Sequence, residues 1–89
     1  MPLFHLGQVV ATPAALAFVR KHNINPADLL ARHVGGDFGD IDASDAAANE
    51  EAIKHDMRVF SSYAFDGEKI WIITEADRSV TTILLPRDY

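Results

Sequence analysis

The sequence predicts an α+β fold, in which two or three N-terminal helices pack on a three- or four-stranded antiparallel sheet. Two observations predict it. The stretch Arg58–Pro86 contains three short runs of β-branched and aromatic residues separated by turn sequences, which is typical of a β-meander. Upstream, the pairs Thr12-Pro13 and Asn25-Pro26 each open a segment with helical spacing. A chain of 89 residues has the size of one domain, which we expect to span residues 1–89.

Three helices are expected before the meander. They span about Pro13–His22, about Pro26–Val34, and a stretch from Asp42 or Ser44 to about His55. Thr12 and Asn25 are the expected N-cap residues of the first two, because their side-chain oxygens can accept hydrogen bonds from backbone amides of the first turn. The segment Leu3–Ala11 is expected to form a short edge strand or an extended arm packed on the sheet.

The C-terminal meander comprises three predicted strands, Arg58–Phe65, Glu68–Glu75 and Ser79–Leu85. Asp66-Gly67 joins the first two and is a strong signal for a two-residue hairpin turn. The middle strand is apolar on both faces, with Trp71 and Ile73 opposite the neighbouring isoleucines. Because a sheet with one wet face alternates apolar and polar residues, the second face should be covered by the N-terminal arm, a helix or a second copy of the protein.

Composition and charge exclude several classes of function. The formal net charge is −5, with eight lysines and arginines scattered along the chain, so stand-alone nucleic-acid binding is not expected. No apolar run approaches the length that spans a bilayer, and the N-terminal segment lacks the basic region and apolar stretch of a signal peptide. We therefore expect a cytoplasmic protein with no membrane contact.

Metal and cofactor sites are not expected either. The chain has four histidines and no cysteine, and the histidines do not follow a zinc-ligand spacing. Six acids and no basic residue lie in the run Asp37–Glu51, but their spacing does not match a calcium-binding loop. No glycine-rich phosphate-binding loop follows a strand. We expect no bound metal and no cofactor.

One set of residues fits metal-independent cleavage of RNA. His33 and His55 could act as general base or general acid, and Arg58 could stabilise negative charge on the reacting phosphorus centre. The order of elements over about Ala43–Tyr89 is similar in architecture, though not in motif, to RelE-like and barnase-like toxin nucleases. That resemblance implies an endoribonuclease-like domain. This chain departs from the usual basic character of RelE-like toxins, because it is acidic.

A further resemblance covers nearly the whole chain. The stretches LGQVVATPAAL, LARHVGGDFGDID and KIWIITEADRSVTTILLPRDY look like those of a family of small uncharacterised proteins encoded on bacterial plasmids and integrative elements, the plasmid-related protein type. The resemblance implies a bacterial setting on a mobile genetic element. It brings no assigned activity and no site residues.

The sequence therefore favours a small, non-enzymatic accessory or interaction protein of a bacterial mobile element. We expect a protein partner or self-association through the sheet, with Trp71 and Ile73 at the interface. Two alternatives stay open. One is the endoribonuclease with His33, His55 and Arg58 as catalytic residues. The other is an acidic inhibitor of a host defence nuclease, in which the acids of the run Asp37–Glu51 meet the basic surface of the enzyme.

Overall fold

Three α-helices and a four-stranded sheet form the fold in the computed structural model, which describes residues 2–89. In chain order the elements are β1 (Gln8–Ala11), α1 (Pro13–Lys21), α2 (Pro26–Val34), α3 (Ala43–His55), β2 (Val59–Phe65), β3 (Glu68–Thr74) and β4 (Val80–Leu84), followed by a short 3-10 turn (Pro86–Asp88). The predicted α+β class is confirmed.

Side-chain caps explain where the helices begin. The Thr12 hydroxyl accepts a hydrogen bond from the backbone N–H of Ala15 at 3.1 Å, and the Asn25 side chain accepts one from Ala27 at 3.0 Å. Both predicted caps are confirmed. At α3 the cap is Asp42, and its carboxylate accepts a hydrogen bond from a first-turn amide at 2.8 Å. The caps therefore set the start of all three helices.

The predicted sheet is wrong in one respect, because it is mixed and not purely antiparallel. The strand order is β1-β4-β3-β2, and β2, β3 and β4 form the predicted antiparallel meander. β1 pairs in parallel with β4, from Gln8 opposite Val80 to Ala11 opposite Ile83. Consequently the helices do not all precede the strands. No hairpin turn joins β1 to a neighbour, so the sequence carries no local signal for the direction of this strand.

The two faces of the sheet have different surroundings. On the inner face, Tyr63, Ile70, Ile72 and Ile83 pack against Ala15, Phe18 and Val19 of α1 and Leu29 of α2. A smaller cluster of Phe4, Ala52 and Val59 joins α3 to the start of β2. The outer face carries Phe60, Ser62, Trp71, Ile73, Thr82 and Leu84. Among residues 2–89, neither core cluster contains an outer-face side chain.

The backbone groups on the free edge of β2 form hydrogen bonds with one side chain of α3 and with the loop that precedes this helix. The Asn49 amide of α3 donates to the Phe60 carbonyl at 2.6 Å and accepts from the Phe60 N–H at 3.0 Å. Farther along the strand, the Ser62 N–H donates to Phe38 at 3.0 Å, and the Ser62 carbonyl accepts from Asp40 at 2.6 Å. These bonds occupy backbone groups that would otherwise offer a template for another strand.

Replacing Asn49 with alanine is expected to lower the free energy of unfolding by about 2 kcal/mol, because two hydrogen bonds are lost and the Phe60 backbone groups are left unpaired. Urea unfolding followed by circular dichroism measures the change. Glu50→Ala is the matched control, since Glu50 lies on the same helix and is exposed. Equal stabilities of the two variants would show that water replaces the Asn49 amide at no cost.

Candidate functional site

His33 lies in the core and not on a reactive surface. Its side chain is fully buried, with Nδ1 at 2.5 Å from the Ser61 hydroxyl and Nε2 at 2.9 Å from the Thr74 hydroxyl. The Thr74 hydroxyl lies 2.7 Å from that of Thr81, which donates to the carbonyl oxygen of Leu6 at 2.7 Å. These groups form one continuous hydrogen-bonded chain across the inner face.

The direction of this chain and the burial of the ring together fix the state of the imidazole. Each hydroxyl donates one hydrogen. Because Thr81 donates to a carbonyl, Thr74 must donate to Thr81, and His33 must donate from Nε2 to Thr74. Burial lowers the pKa of His33 to about 4, so the ring is neutral near pH 7. Its one ring proton then lies on Nε2, and Nδ1 accepts from the Ser61 hydroxyl.

The other two predicted catalytic residues occupy different surroundings. His55 is exposed at the end of α3 and pairs with Glu51 at 3.3 Å. Arg58 is exposed and pairs with Glu75 at 3.1 Å. A buried ring, an exposed helix end and an ion-paired strand end do not present acid, base and cation to one phosphate. The ribonuclease assignment stays a prediction, and this geometry adds no support to it.

An aromatic cluster lies on the outer face, where the sequence predicts an interface. The ring of Trp71 meets that of Phe60 edge to face, with centroids 5.1 Å apart, and meets Tyr89 at 5.9 Å. Tyr89 is 74% exposed, and its hydroxyl accepts a hydrogen bond from Arg58 at 3.0 Å. Trp71 is half-buried, whereas Ile73 beside it is buried. The C-terminal turn thus covers part of this face, and the N-terminal segment pairs at the edge of the sheet instead.

The acidic loop borders the same aromatic cluster. A cavity of about 420 Å³ lies between them. We call it the acidic–aromatic pocket, and its lining residues are Asp40, Ile41, Asp42, Asp45, Phe60, Ser62, Lys69 and Trp71. A second cavity of about 250 Å³, beside Tyr89, shares Asp45, Phe60 and Trp71 with it. The two cavities therefore adjoin and form one groove across the outer face.

The residues that line the acidic–aromatic pocket carry a net negative charge. Three carboxylates and one ammonium line it, and Asp40, Asp45 and Lys69 are exposed. Within residues 2–89, no three acidic or histidine side chains converge on a point that could hold a metal ion. The negative charge of the pocket is therefore divided among separate carboxylates.

Ser62 in this pocket has an unpaired hydroxyl. Its side chain is 3% exposed, yet its Oγ has no hydrogen-bond partner among the residues that the structure describes. An unpaired buried hydroxyl costs stability, and such groups are uncommon in folded proteins. The backbone of Ser62 is fully bonded to the acidic loop, so the strand position is fixed. The hydroxyl is thus held beside the pocket with its bonding capacity unused.

The sequence predicts parts of this site separately, with Trp71 at an interface and the acids of the run Asp37–Glu51 on a surface that meets a basic enzyme. It does not predict that they share one pocket. Phe60 and Lys69 were not predicted as site residues, since alternation on a strand predicts only the face of a side chain. A second, apolar groove beside β1, lined by Val9 and Leu16 among others, was also missed.

Comparisons with protein-family models, with curated proteins and with solved structures find no match for this chain. The resemblance to plasmid-encoded proteins therefore stays a prediction. Within residues 2–89, no helix has both the length and the apolar character needed to cross a membrane.

Proposed function

We propose that this chain is a non-enzymatic binding protein, and that its outer face binds a protein partner with a basic surface. One observation carries the proposal. The acidic–aromatic pocket unites three carboxylates with Phe60 and Trp71 on the sheet face that lies outside both core clusters. Aromatic side chains at the centre of a patch with charged groups at its rim are typical of protein interfaces.

Charge favours a different partner over a second copy of this chain. A symmetric dimer through the outer face would bring identical acidic rims together, and like charges across an interface are costly. A basic partner gains from the same arrangement, because Asp40, Asp42 and Asp45 would attract it and orient it. We therefore place self-association second.

The predicted inhibitor role is one form of this proposal. A nuclease has a basic surface where it holds the phosphates of its substrate. The acids that border the outer face are suited to meet such a surface. The mobile-element setting is supported by the sequence resemblance alone.

Site-specific cross-linking in cells is the test of this proposal. The photoreactive amino acid p-benzoylphenylalanine is placed at Tyr89 or at Ala64, both exposed on or beside the outer face. Ala17, exposed on α1, is the matched control position. We expect one specific adduct from the outer-face positions only. Mass spectrometry should locate the cross-link in a segment of the partner rich in lysine and arginine.

Charge variants then test the role of the acids. The pair Asp40→Asn with Asp45→Asn is expected to reduce the yield of that adduct at least about threefold, because rim charges control association. Asp56→Asn makes a charge change outside the acidic–aromatic pocket and should leave the yield unchanged. Equal labelling from Ala17, or adducts only with a second copy of this chain, would contradict the proposal.

A further inference from the structure

We infer that the acidic–aromatic pocket receives an arginine side chain from the partner protein. This inference rests on the proposed function and deepens it, since it names the chemical group that the pocket binds. Three independent features meet there: a pair of aromatic rings at a right angle, a rim of carboxylates, and the unpaired hydroxyl of Ser62. Each of the three fits a guanidinium group.

The aromatic rings provide the first feature. Phe60 and Trp71 meet with an angle of 87° between ring planes. Such a corner offers the face of one ring and the edge of the other to whatever enters the pocket. A guanidinium stacks on aromatic faces and is attracted by the ring electrons, most strongly by those of tryptophan.

The spread of the acceptors distinguishes arginine from a compact cation. The carboxylates around the pocket do not converge on one point, as the lack of a metal-binding cluster within residues 2–89 shows. A lysine ammonium is a point charge with three donors, whereas a guanidinium presents five donors over a plane. Acceptors at separate places around a cavity of about 420 Å³ suit the broader group.

The Ser62 hydroxyl provides the feature that is independent of charge. It is an unpaired acceptor, nine-tenths buried, beside a cavity that is lined by acids. A donor from the guanidinium would satisfy it after rotation about the Cα–Cβ bond. The unpaired hydroxyl lowers the stability of the free protein, and it contributes to the affinity once a ligand donates a hydrogen bond to it.

Lys69 sets a limit on the affinity. It is the one cation among the lining residues, and its positive charge opposes that of an entering guanidinium. The pocket therefore gains negative potential when this charge is removed. If the pocket residues had only a structural role, removing the charge of Lys69 would not change the affinity for a ligand.

Titration with blocked peptides tests the inference on the intact chain. The probes are acetyl-Gly-Arg-Gly-amide and acetyl-Gly-Lys-Gly-amide, with free arginine as a third ligand. The chain has one tryptophan, so the indole N–H signal of Trp71 reports binding without ambiguity in an ¹⁵N-labelled sample. We expect the arginine peptide to bind about fivefold tighter than the lysine peptide. Free arginine carries the same guanidinium and the same net charge, so it should also bind more tightly than the lysine peptide.

Three variants separate binding from folding. Ser62→Ala is expected to weaken binding of the arginine peptide about threefold or more while leaving the fold as stable or more stable. Lys69→Gln should strengthen binding about twofold, and the pair Asp40→Asn with Asp45→Asn should weaken it about fivefold. Asp56→Asn is the matched control and should leave the affinity unchanged.

The outcomes separate this inference from the proposed function. Equal affinity for the two peptides, or unchanged affinity in both Ser62→Ala and the double variant, would overturn the arginine assignment. A basic partner cross-linked at Tyr89 would still support the proposed function in that case. Conversely, selective arginine binding without any cross-linked partner would support the pocket assignment and contradict the proposed function.

Discussion

Gly39→Ala is expected to lower the free energy of unfolding by about 3 kcal/mol or more. Gly39 has a φ of +74°, and a Cβ there would overlap the carbonyl oxygen of Ser62 and the ring of Tyr63. The carbonyl belongs to the backbone of β2 and the ring is buried, so neither can move aside cheaply. This glycine permits the close approach of the acidic loop to the strand.

A second glycine isolates the effect of that contact. Gly67, in the hairpin turn, has a φ of +80°, but an added Cβ would meet no atom within 4 Å. Gly67→Ala should therefore lower the free energy of unfolding by only about 1–2 kcal/mol, the cost of a left-handed backbone conformation for alanine. Urea unfolding of both variants measures the difference. Equal losses would show that the loop shifts away from β2 without penalty. Gly39→Ala should also weaken arginine-peptide binding if the loop has moved.

Acid is expected to destabilise the fold between about pH 6.5 and pH 4, by about 3 kcal/mol in total. Burial lowers the pKa of His33 from 6.5 to about 4, so in this range the unfolded chain binds a proton that the folded chain does not. Stability therefore falls as the pH falls through this window. Below the folded pKa, both states bind the proton and this contribution to the slope ends.

Carboxylates act in a lower range of pH. A hydrogen bond from Arg32 holds the pKa of Asp37 below its ordinary 3.8, and one from Thr12 does the same for the pKa of Asp88. The stability that these two carboxylates contribute is present above pH 3.8. It is lost only as the pH falls through the lower pKa that each carboxylate has in the folded protein. The decline that begins near pH 6.5 therefore lies above the range in which Asp37 and Asp88 act, and comparison with His33→Gln isolates the part that belongs to His33.

Urea unfolding at a series of pH values from 7 to 4 measures how the free energy of unfolding changes with pH. His33→Gln should be less stable than the parent at pH 7, because the imidazole that joins the Ser61 and Thr74 hydroxyls is lost. The stability of this variant should depend little on pH in this range. His55→Gln is the control, since that side chain is exposed when folded. A parent protein that is equally stable at pH 7 and pH 4.5 would contradict the neutral, buried state of His33.

Local signals in the sequence were sufficient for most of the fold. The caps Thr12 and Asn25 and the turn Asp66-Gly67 act through residues adjacent in the chain, so their effects can be predicted without the tertiary structure. The parallel pairing of β1 was not predictable in this way. Its register depends on residues about 70 positions away, with no turn between them to fix a direction.

The site was less predictable because it depends on the path of a loop. Alternation on β3 placed Trp71 and Ile73 on one face, as the strand pairing shows. The approach of the acidic loop depends on nonlocal bonds, among them the Tyr63 hydroxyl donating to the Asp37 carbonyl at 2.7 Å. The buried state of His33 is likewise nonlocal, because the Ser61 and Thr74 hydroxyls that contact its ring lie 28 and 41 positions farther along the chain.

The pairing of β1 with β4 has a consequence for the order of folding during synthesis. β1 leaves the ribosome long before β4 is translated, and the residues of this pair are separated by about 70 positions. Closing so long a loop is entropically unfavourable until other contacts reduce it, whereas the hairpins of the meander close locally. We expect the meander to form first and β1 to dock last. The helices of the nascent chain therefore have no sheet to pack on until β2, β3 and β4 have emerged.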